Sequence, residues 1–513
     1  MTRRALALVV LLGAIVPALA VTPEDRVPEE LVIQLAPGVY SGAVAQRYGL
    51  TVLDSIPEWW MHELRVVPGT NVDGLVAALR ADPDVLGAEP HLLLDSPEGV
   101  QLSIPDLDES AGPEEYEGQT ATTAIRLAEA QARYRGAGVI VAVLDTGVVQ
   151  THPRIASRLL RPGADFAGGD GTAGAQANGL DDDGDGMVDE SREHGTFVAG
   201  LIQLVAPDAL ILPVRVLEED GRGTSFGLAK GIAFAVQRGA RVINLSLGMR
   251  QDSYLVARAI EYAHAAGIAV VAAAGNRALP EVDFPARLSR VIAVAASDGG
   301  GRRATFSNYG AQVALSAPGT GVLSTFGADG FARWSGTSFA TPLVSGAVAL
   351  LLERYPGLDA SVVRTLLART AQPDENPPEL AGQMGAGLLD AGALLAALAT
   401  DRNSLRLRQT GGGTVLSFSP VSGASQYDVA RGGPKGLELE SGRAEVDLGP
   451  LVCLANDAPA GDSGGVIDVD APPVGALFFY LFRDDAQDPG GRNYGTANGG
   501  ALRVAGATDC PVH

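Results

Sequence analysis

Cysteine is nearly absent: two in 513 residues, Cys453 and Cys510, both close to the C-terminal end. Neither sits near a histidine-rich segment, so a zinc site and a catalytic thiol are both excluded as readings. Histidine is scarce as well, with six in the chain, so any chemistry needing an imidazole must draw on a very short list. Aromatic residues make up 5% of the chain. Beyond the first twenty residues no apolar run approaches the ~20 residues that span a bilayer. Positive charge is in deficit too, with 38 Lys and Arg against 60 Asp and Glu and a formal net charge of −22. That balance repels phosphates and argues against a nucleic-acid partner, while favouring solubility and cation binding.

What the chain does have is apolar content, 46%, and 65 glycines. It can bury a large core divided over about three domains. Residues 1–20 carry Arg3 and Arg4, then an apolar stretch from Ala5 to Val16, then Ala18-Leu19-Ala20. This is the pattern of a cleaved signal peptide. It predicts a secreted protein, extracellular or periplasmic, with no transmembrane anchor after cleavage. Export in turn permits a disulfide between Cys453 and Cys510.

The alternation of patterns predicts the organisation. Residues 28–95 read as βαββαβ, with strands at Leu31–Leu35, Thr51–Ile56, Glu63–Val67 and Val85–Leu94 and helices at Ser41–Tyr48 and Val72–Arg80. That order suggests a ferredoxin-like sandwich. Residues 96–119 are acidic, bear Pro and Gly, and read as an exposed linker. From 120 to 398, apolar runs such as Val139–Leu144, Leu210–Leu217, Val242–Leu247, Ile268–Ala273 and Val291–Ala295 alternate with helical stretches at Ser225–Gln237 and Ser253–Ala265. Such alternation predicts an α/β fold, a parallel sheet covered by helices, with its site outside the carboxyl ends of the strands. Residues 405–513 lose helical periodicity and read as a small β-sandwich.

Three short segments carry the chemistry. Asp145 ends an apolar strand in Asp145-Thr146-Gly147-Val148. His194 opens a helical stretch in His194-Gly195-Thr196-Phe197-Val198-Ala199-Gly200, and Ser338 lies in Gly336-Thr337-Ser338-Phe339-Ala340-Thr341-Pro342. A hydroxyl, an imidazole and a carboxylate are the groups that serine nucleophilic catalysis requires. Each residue alone is unremarkable as a strand end or a helix cap. Together, and in the order Asp, His, Ser, these segments resemble the active-site motifs of the subtilisin-like serine proteases, the subtilases. Ala272-Ala273-Ala274-Gly275-Asn276 and Asn244-Leu245-Ser246-Leu247-Gly248 match two further motifs, and the resemblance covers residues 120–398.

The resemblance implies a serine endopeptidase acting through an acyl-enzyme, with Asp145, His194 and Ser338 as its triad. It assigns Asn276 and the Ser338 amide to the oxyanion, and protein or peptide substrates to the groove. Ser246, Leu247, Gly248, Gly221, Gly223, Ala274 and Gly275 are then substrate-binding. No cofactor is required for the chemistry. Phe197 departs from the family pattern, where His is common. The 28–95 unit resembles the inhibitory prodomain of subtilases, an intramolecular inhibitor laid into the groove by Ala88–Leu94. Residues 405–513 resemble fibronectin type III-like domains. Gly461-Asp462-Ser463-Gly464-Gly465 copies the serine motif of chymotrypsin-like proteases but lacks that family's upstream histidine setting. The alternative reading for the whole is a non-catalytic adhesion or scaffold protein on a protease fold.

Just ahead of His194, the run 178–190 holds Asp181, Asp183 and Asp185 in alternation, followed by Gly186, Met187 and Asp189. Alternating carboxylates with a glycine turn match the first half of a calcium loop, but Arg192 stands where such a loop ends in a bidentate Glu. The segment reads either as a structural Ca²⁺ site or as a solvated acidic loop.

Overall fold

The computed structural model describes residues 25–98, 103–108, 110–168, 171–181 and 186–397, together with strand backbones between 405 and 504. The leader, Asp183, Asp185, Ser463 and Cys510 lie outside the described residues. Cys453 falls on the strand Leu451–Pro459. The chain divides into two compact units, Met1–Leu395 and Ala396–His513.

In the first unit the apolar runs become a seven-stranded sheet in the order 315–318, 291–297, 269–273, 242–245, 140–145, 210–215, 164–165. Every neighbouring pair is parallel. Residues along the strands Ile140–Asp145 and Val242–Leu245 are buried on both faces, which explains why their sequence is continuously apolar rather than alternating. Helices His194–Val205 and Thr337–Arg354 cover one face, and helices Ser225–Gln237 and Tyr254–Ala265 cover the other. The latter two start at Thr224 and Ser253, whose side chains accept from the N–H of Gly227 and Val256. Such caps satisfy N–H groups that the helix leaves open.

Residues 26–95 form an antiparallel sheet in the order 51–56, 61–65, 26–35, 85–95, extended by 222–224 of the larger fold, with helices Ser41–Tyr48 and Val72–Arg80. This is the predicted βαββαβ arrangement, with one strand beginning at Met61 instead of Glu63. The run Leu31–Leu35 serves two cores at once. Leu31, Ile33 and Leu35 face the unit's own helices, packing with Val44, Leu64 and Leu79. Val32 points the other way, joining Trp59, Met61, Leu92 and Leu94 in one apolar cluster with Leu228, Ile232, Leu255 and Ala259 of the larger fold. Strand period two accounts for that division.

The stretch read as an exposed linker is not one over its described residues. Ser96, Glu98, Tyr116 and Gln119 are buried. Asp106–Leu107 pairs with Ala332–Arg333, and Pro113–Gly118 is a short helix. Tyr116 anchors it by donating its hydroxyl hydrogen to the carbonyl of Gly200. Glu115 and Glu117, which looked solvated in the sequence, pair with Arg333 and Arg154.

In the second unit the strand backbones form three sheets of three, in the orders 405–410, 413–418, 466–468; then 451–459, 426–432, 479–484; then 445–447, 502–504, 493–496.

Candidate active site

The carboxyl ends of the central strands deliver the site. Asp145 is the last residue of its strand and is completely buried, and His194 is the first residue of its helix and equally buried. The imidazole Nδ1 donates to Asp145 Oδ1 over 2.8 Å. The same oxygen accepts from the N–H of Thr146 at 2.8 Å, which fixes the carboxylate. Gly195 is what lets the helix come so near: a Cβ there meets the carbonyl oxygen of Gly147 at 2.2 Å and Asp145 Oδ1 at 3.1 Å. Behind His194, Phe197, Trp334 and Phe339 form an aromatic wall, with centroids of Phe197 and Phe339 4.6 Å apart. The unusual Phe197 is thus a packing residue.

Ser338 is the second residue of helix Thr337–Arg354. Asn276, buried at the end of the strand Ala269–Ala273 and its extension, is locked in place by Thr337, which donates both N–H and Oγ1–H to Asn276 Oδ1 at 2.9 and 2.8 Å. Its Nδ2 is thereby turned toward Ser338. Gly336 keeps that space open, since a Cβ there lies 3.2 Å from Asn276 Nδ2.

One residue that the sequence did not single out joins all of these. Glu98 places its carboxylate at the centre of the site. Ser338 Oγ donates to Glu98 Oε2 at 2.6 Å, and His194 Nε2 donates to the same oxygen at 3.1 Å. Asn276 Nδ2 donates to Glu98 Oε1 at 2.8 Å. Burial pulls the His194 imidazole down, but the Asp145 and Glu98 carboxylates outweigh it and raise it to about 10. In this state His194 is an imidazolium between two carboxylates.

The chain leading to Glu98 runs along a groove. Leu93, Leu94 and Asp95 pair antiparallel with Thr224, Gly223 and Arg222. On the other side Asp95 and Gly248 exchange both backbone hydrogen bonds at 3.0 Å, and Ser96 N–H donates to the carbonyl of Gly221 at 2.8 Å. Gly221, Gly223 and Gly248 therefore flank the segment Leu94–Ser96 on its two edges. Ser246 and Leu247 lie buried behind them, where Ser246 Oγ donates to the Ser338 carbonyl at 2.7 Å. Gly275 N–H donates to Thr337 Oγ1, and the Ala274 carbonyl accepts from Asp283 N–H and Asn308 Nδ2.

Two carboxylate clusters invite a metal. In the acidic loop, Asp181 Oδ2 accepts from Gly186 N–H at 3.1 Å, while the Asp189 carboxylate accepts from the N–H of Asn178 and Gly179. Asp181 thus closes the inner turn and Asp189 the base of the loop. Among the described residues, the group of three potential ligands that converges is Glu30, Glu63 and His91. Glu30 accepts from His91 Nδ1 at 3.0 Å and from Arg65, and His91 Nε2 accepts from the Phe226 N–H at the start of helix Ser225–Gln237. His91 first, then Arg65, hold the Glu30 carboxyl at about 2, and burial pushes Glu63 up to about 7. The cluster is closed by protein partners and forms an ion-paired joint rather than a metal cradle.

A buried Asp–His pair, a serine on a helix start and an amide donor, gathered at the carboxyl edge of a parallel sheet, define a serine peptidase fold and site. A subtilase family profile matches residues 136–387, and a fervidolysin N-terminal prodomain profile matches residues 16–91. Subtilisin DY of Bacillus licheniformis is 38% identical over 251 residues, covering 46% of this chain and 85% of that protein. Thermitase of Thermoactinomyces vulgaris is 39% identical over 236 residues, covering 46% and 82%. The solved structure of fervidolysin from Fervidobacterium pennivorans, described as a keratinolytic enzyme related to subtilisin, aligns over 90% of this chain and 77% of its own. Its TM-score is 0.61 and its identity 20%, a likeness of fold. The chain belongs to the subtilase family and is a subtilisin-like serine peptidase with an N-terminal prodomain.

Proposed function

We propose that the protein is an exported serine endopeptidase, made as a precursor whose own prodomain blocks the groove until the chain cuts itself. The observation that carries this reading is the threefold grip on Glu98. One small acid group reaches the hydroxyl of Ser338, the imidazole of His194 and the amide of Asn276 at once, so a scissile carbonyl placed there meets nucleophile, base and oxyanion donor together. Once Glu98 leaves, His194 loses one of its two carboxylates and can act as a base. Ser338 Oγ then attacks the carbonyl carbon as its proton passes to His194 Nε2. Asp145 holds the tautomer and stabilises the imidazolium. Asn276 Nδ2 donates to the tetrahedral oxyanion, and the C–N bond breaks as His194 returns its proton to the leaving amine. Water, deprotonated by His194, then releases the acyl group and regenerates Ser338.

Export rests on the leader sequence of residues 1–20. A disulfide between Cys453 and Cys510 in a fibronectin-like module of 405–513 belongs to the same reading, as does Ca²⁺ in the acidic loop.

The reading is tested with Ser338→Ala. The variant is expected to accumulate as a precursor lacking only the leader and to lose both peptidase activity and fluorophosphonate labelling. A Ser338→Ala chain that matured in purified form at a rate independent of its concentration overturns self-cleavage. A chain with unaltered Ser338 that no fluorophosphonate labels once residues 25–98 have been removed favours the scaffold alternative.

A further inference from the structure

Beneath the groove, beside Asn276, lies a small cavity whose walls have two origins. The catalytic fold supplies Arg222, Arg250, Arg277 and Asp283, and the prodomain side supplies Asp25 and Asp95. Asp95 is the residue that exchanges backbone hydrogen bonds with Gly248, and its Oδ1 stands 3.4 Å from Arg222 Nε. Pro97, in the turn that follows the strand, lines the same cavity.

When the prodomain segment leaves, Asp25 and Asp95 leave with it. Three arginines then remain against one carboxylate, and that carboxylate is already engaged. Asp283 is buried between the two groove glycines: a Cβ on Gly275 meets its Oδ2 at 2.2 Å, and a Cβ on Gly248 meets its Cβ at 3.1 Å. Its Oδ1 accepts from Arg277 Nη2 and from Asn308 Nδ2. A cationic side chain entering the cavity meets three arginines and a carboxylate that is already paired with one of them. An anionic one meets Arg222, Arg250 and the outer face of Arg277 without displacing anything. In a chain of net charge −22, a cluster of three arginines at the groove is a local reversal of sign.

We propose that this cavity is a specificity site for acidic side chains, so that the enzyme prefers peptide substrates with Asp or Glu at the position of Asp95. Asp95 in the precursor is the stand-in for that substrate acid. The inference rests on the peptidase reading above, whose substrate class it narrows.

The full chain, expressed and left to process itself, is assayed with quenched fluorescent peptides that differ only at the residue facing Gly248: Asp, Asn or Lys. The expected kcat/KM for Asp exceeds that for Asn by about tenfold, with Lys lowest, and the advantage shrinks in about 0.5 M salt. The double reversal Arg222→Glu/Arg250→Glu is expected to lower the Asp-to-Lys ratio by at least about tenfold. Equal values for Asp and Asn, a preference for Lys, or a ratio that the double reversal leaves untouched overturns the inference. Fluorophosphonate labelling of Ser338 on the same samples separates the two readings. Labelled enzyme without acid preference overturns this inference alone, and unlabelled enzyme overturns the peptidase reading. In the latter case the fluorescence anisotropy of tagged Asp, Asn and Lys peptides still decides whether the cavity takes the acid.

Discussion

Glu98 does two things to His194. It fills the space a substrate carbonyl needs, and after Asp145, the larger influence, its carboxylate helps keep the imidazole protonated, the wrong state for a base. The sign of the pH dependence follows. A histidine raised to about 10 in the blocked form, from 6.5 when free, stabilises that form fully below pH 6.5 and loses the contribution as pH rises toward 10. In a Ser338→Ala background, which keeps the chain whole, the His194 imidazole is expected to stay charged through pH 8 in an NMR titration. Glu98→Gln is expected to move that titration toward neutrality by about one unit or more. An unchanged His194 titration in the double variant denies Glu98 its electrostatic role and leaves it as a steric plug.

At the scale of elements, two helices of the catalytic fold have their N-termini closed by the prodomain strand Val85–Asp95. Glu89 accepts from Ser253 Oγ at 2.6 Å and from the N–H groups of Tyr254 and Leu255 at 2.7 and 3.1 Å. The neighbouring helix is met by His91 and by Leu92, whose N–H donates to Ser225 Oγ. A buried carboxylate holding three donors at a helix start is worth several hydrogen bonds to a charged group. Glu89→Gln keeps the shape but turns an NH₂ against backbone N–H groups. It is expected to weaken the seating of the strand by about 1–3 kcal/mol. Limited proteolysis of the Ser338→Ala chain reads this as faster nicking within residues 25–98. Nicking at the parental rate refutes the capping role.

The same elements show what could be read without coordinates. The strands and helices of residues 26–95 were legible from period two and 3.6, and the strands 140–145, 210–215, 242–245, 269–273 and 291–297 from continuous apolar runs, while the strands 315–318, 322–326 and 330–334 and the helix 360–370 were not read. Asp145, His194, Ser338 and Asn276 were legible because each sits in a motif. Glu98 was not. Its meaning depends on the strand 85–95 adding to Arg222–Thr224 in one particular register, and a carboxylate in an acidic run looks like any solvated charge. The signal available was position, since Ser96-Pro97-Glu98 directly continue a strand expected to lie in the groove. Helix Pro113–Gly118 escaped for another reason: its one buried anchor, Tyr116, is too little to make a period.

On the scale of the whole molecule, charge is unevenly spent. Acidic residues outnumber basic ones, 60 to 38, and the run 178–190 concentrates them just ahead of the His194 helix in sequence. If Ca²⁺ binds there through Asp181, Asp183, Asp185, the Met187 carbonyl and Asp189, it stabilises the fold by mass action, about 2.7 kcal/mol at a hundredfold excess over Kd. Millimolar Ca²⁺ is then expected to raise Tm by several degrees, with Mg²⁺ a poor substitute. A Tm indifferent to EDTA and to Ca²⁺, with no calcium retained in equilibrium dialysis, assigns the run to solvated surface instead.

The continuity of the prodomain strand with Arg222–Thr224 bears on how activity is released in time. While residues 95–120 remain one chain, the blocking strand is tethered beside its groove, and its local concentration does not change however dilute the protein becomes. A single cut between them turns the same contact into an ordinary bimolecular equilibrium. From that moment dilution alone shifts it toward the open groove. The event that commits the molecule is therefore the loss of covalent tethering, and the latency of a population ends faster the farther it has spread from where it was made.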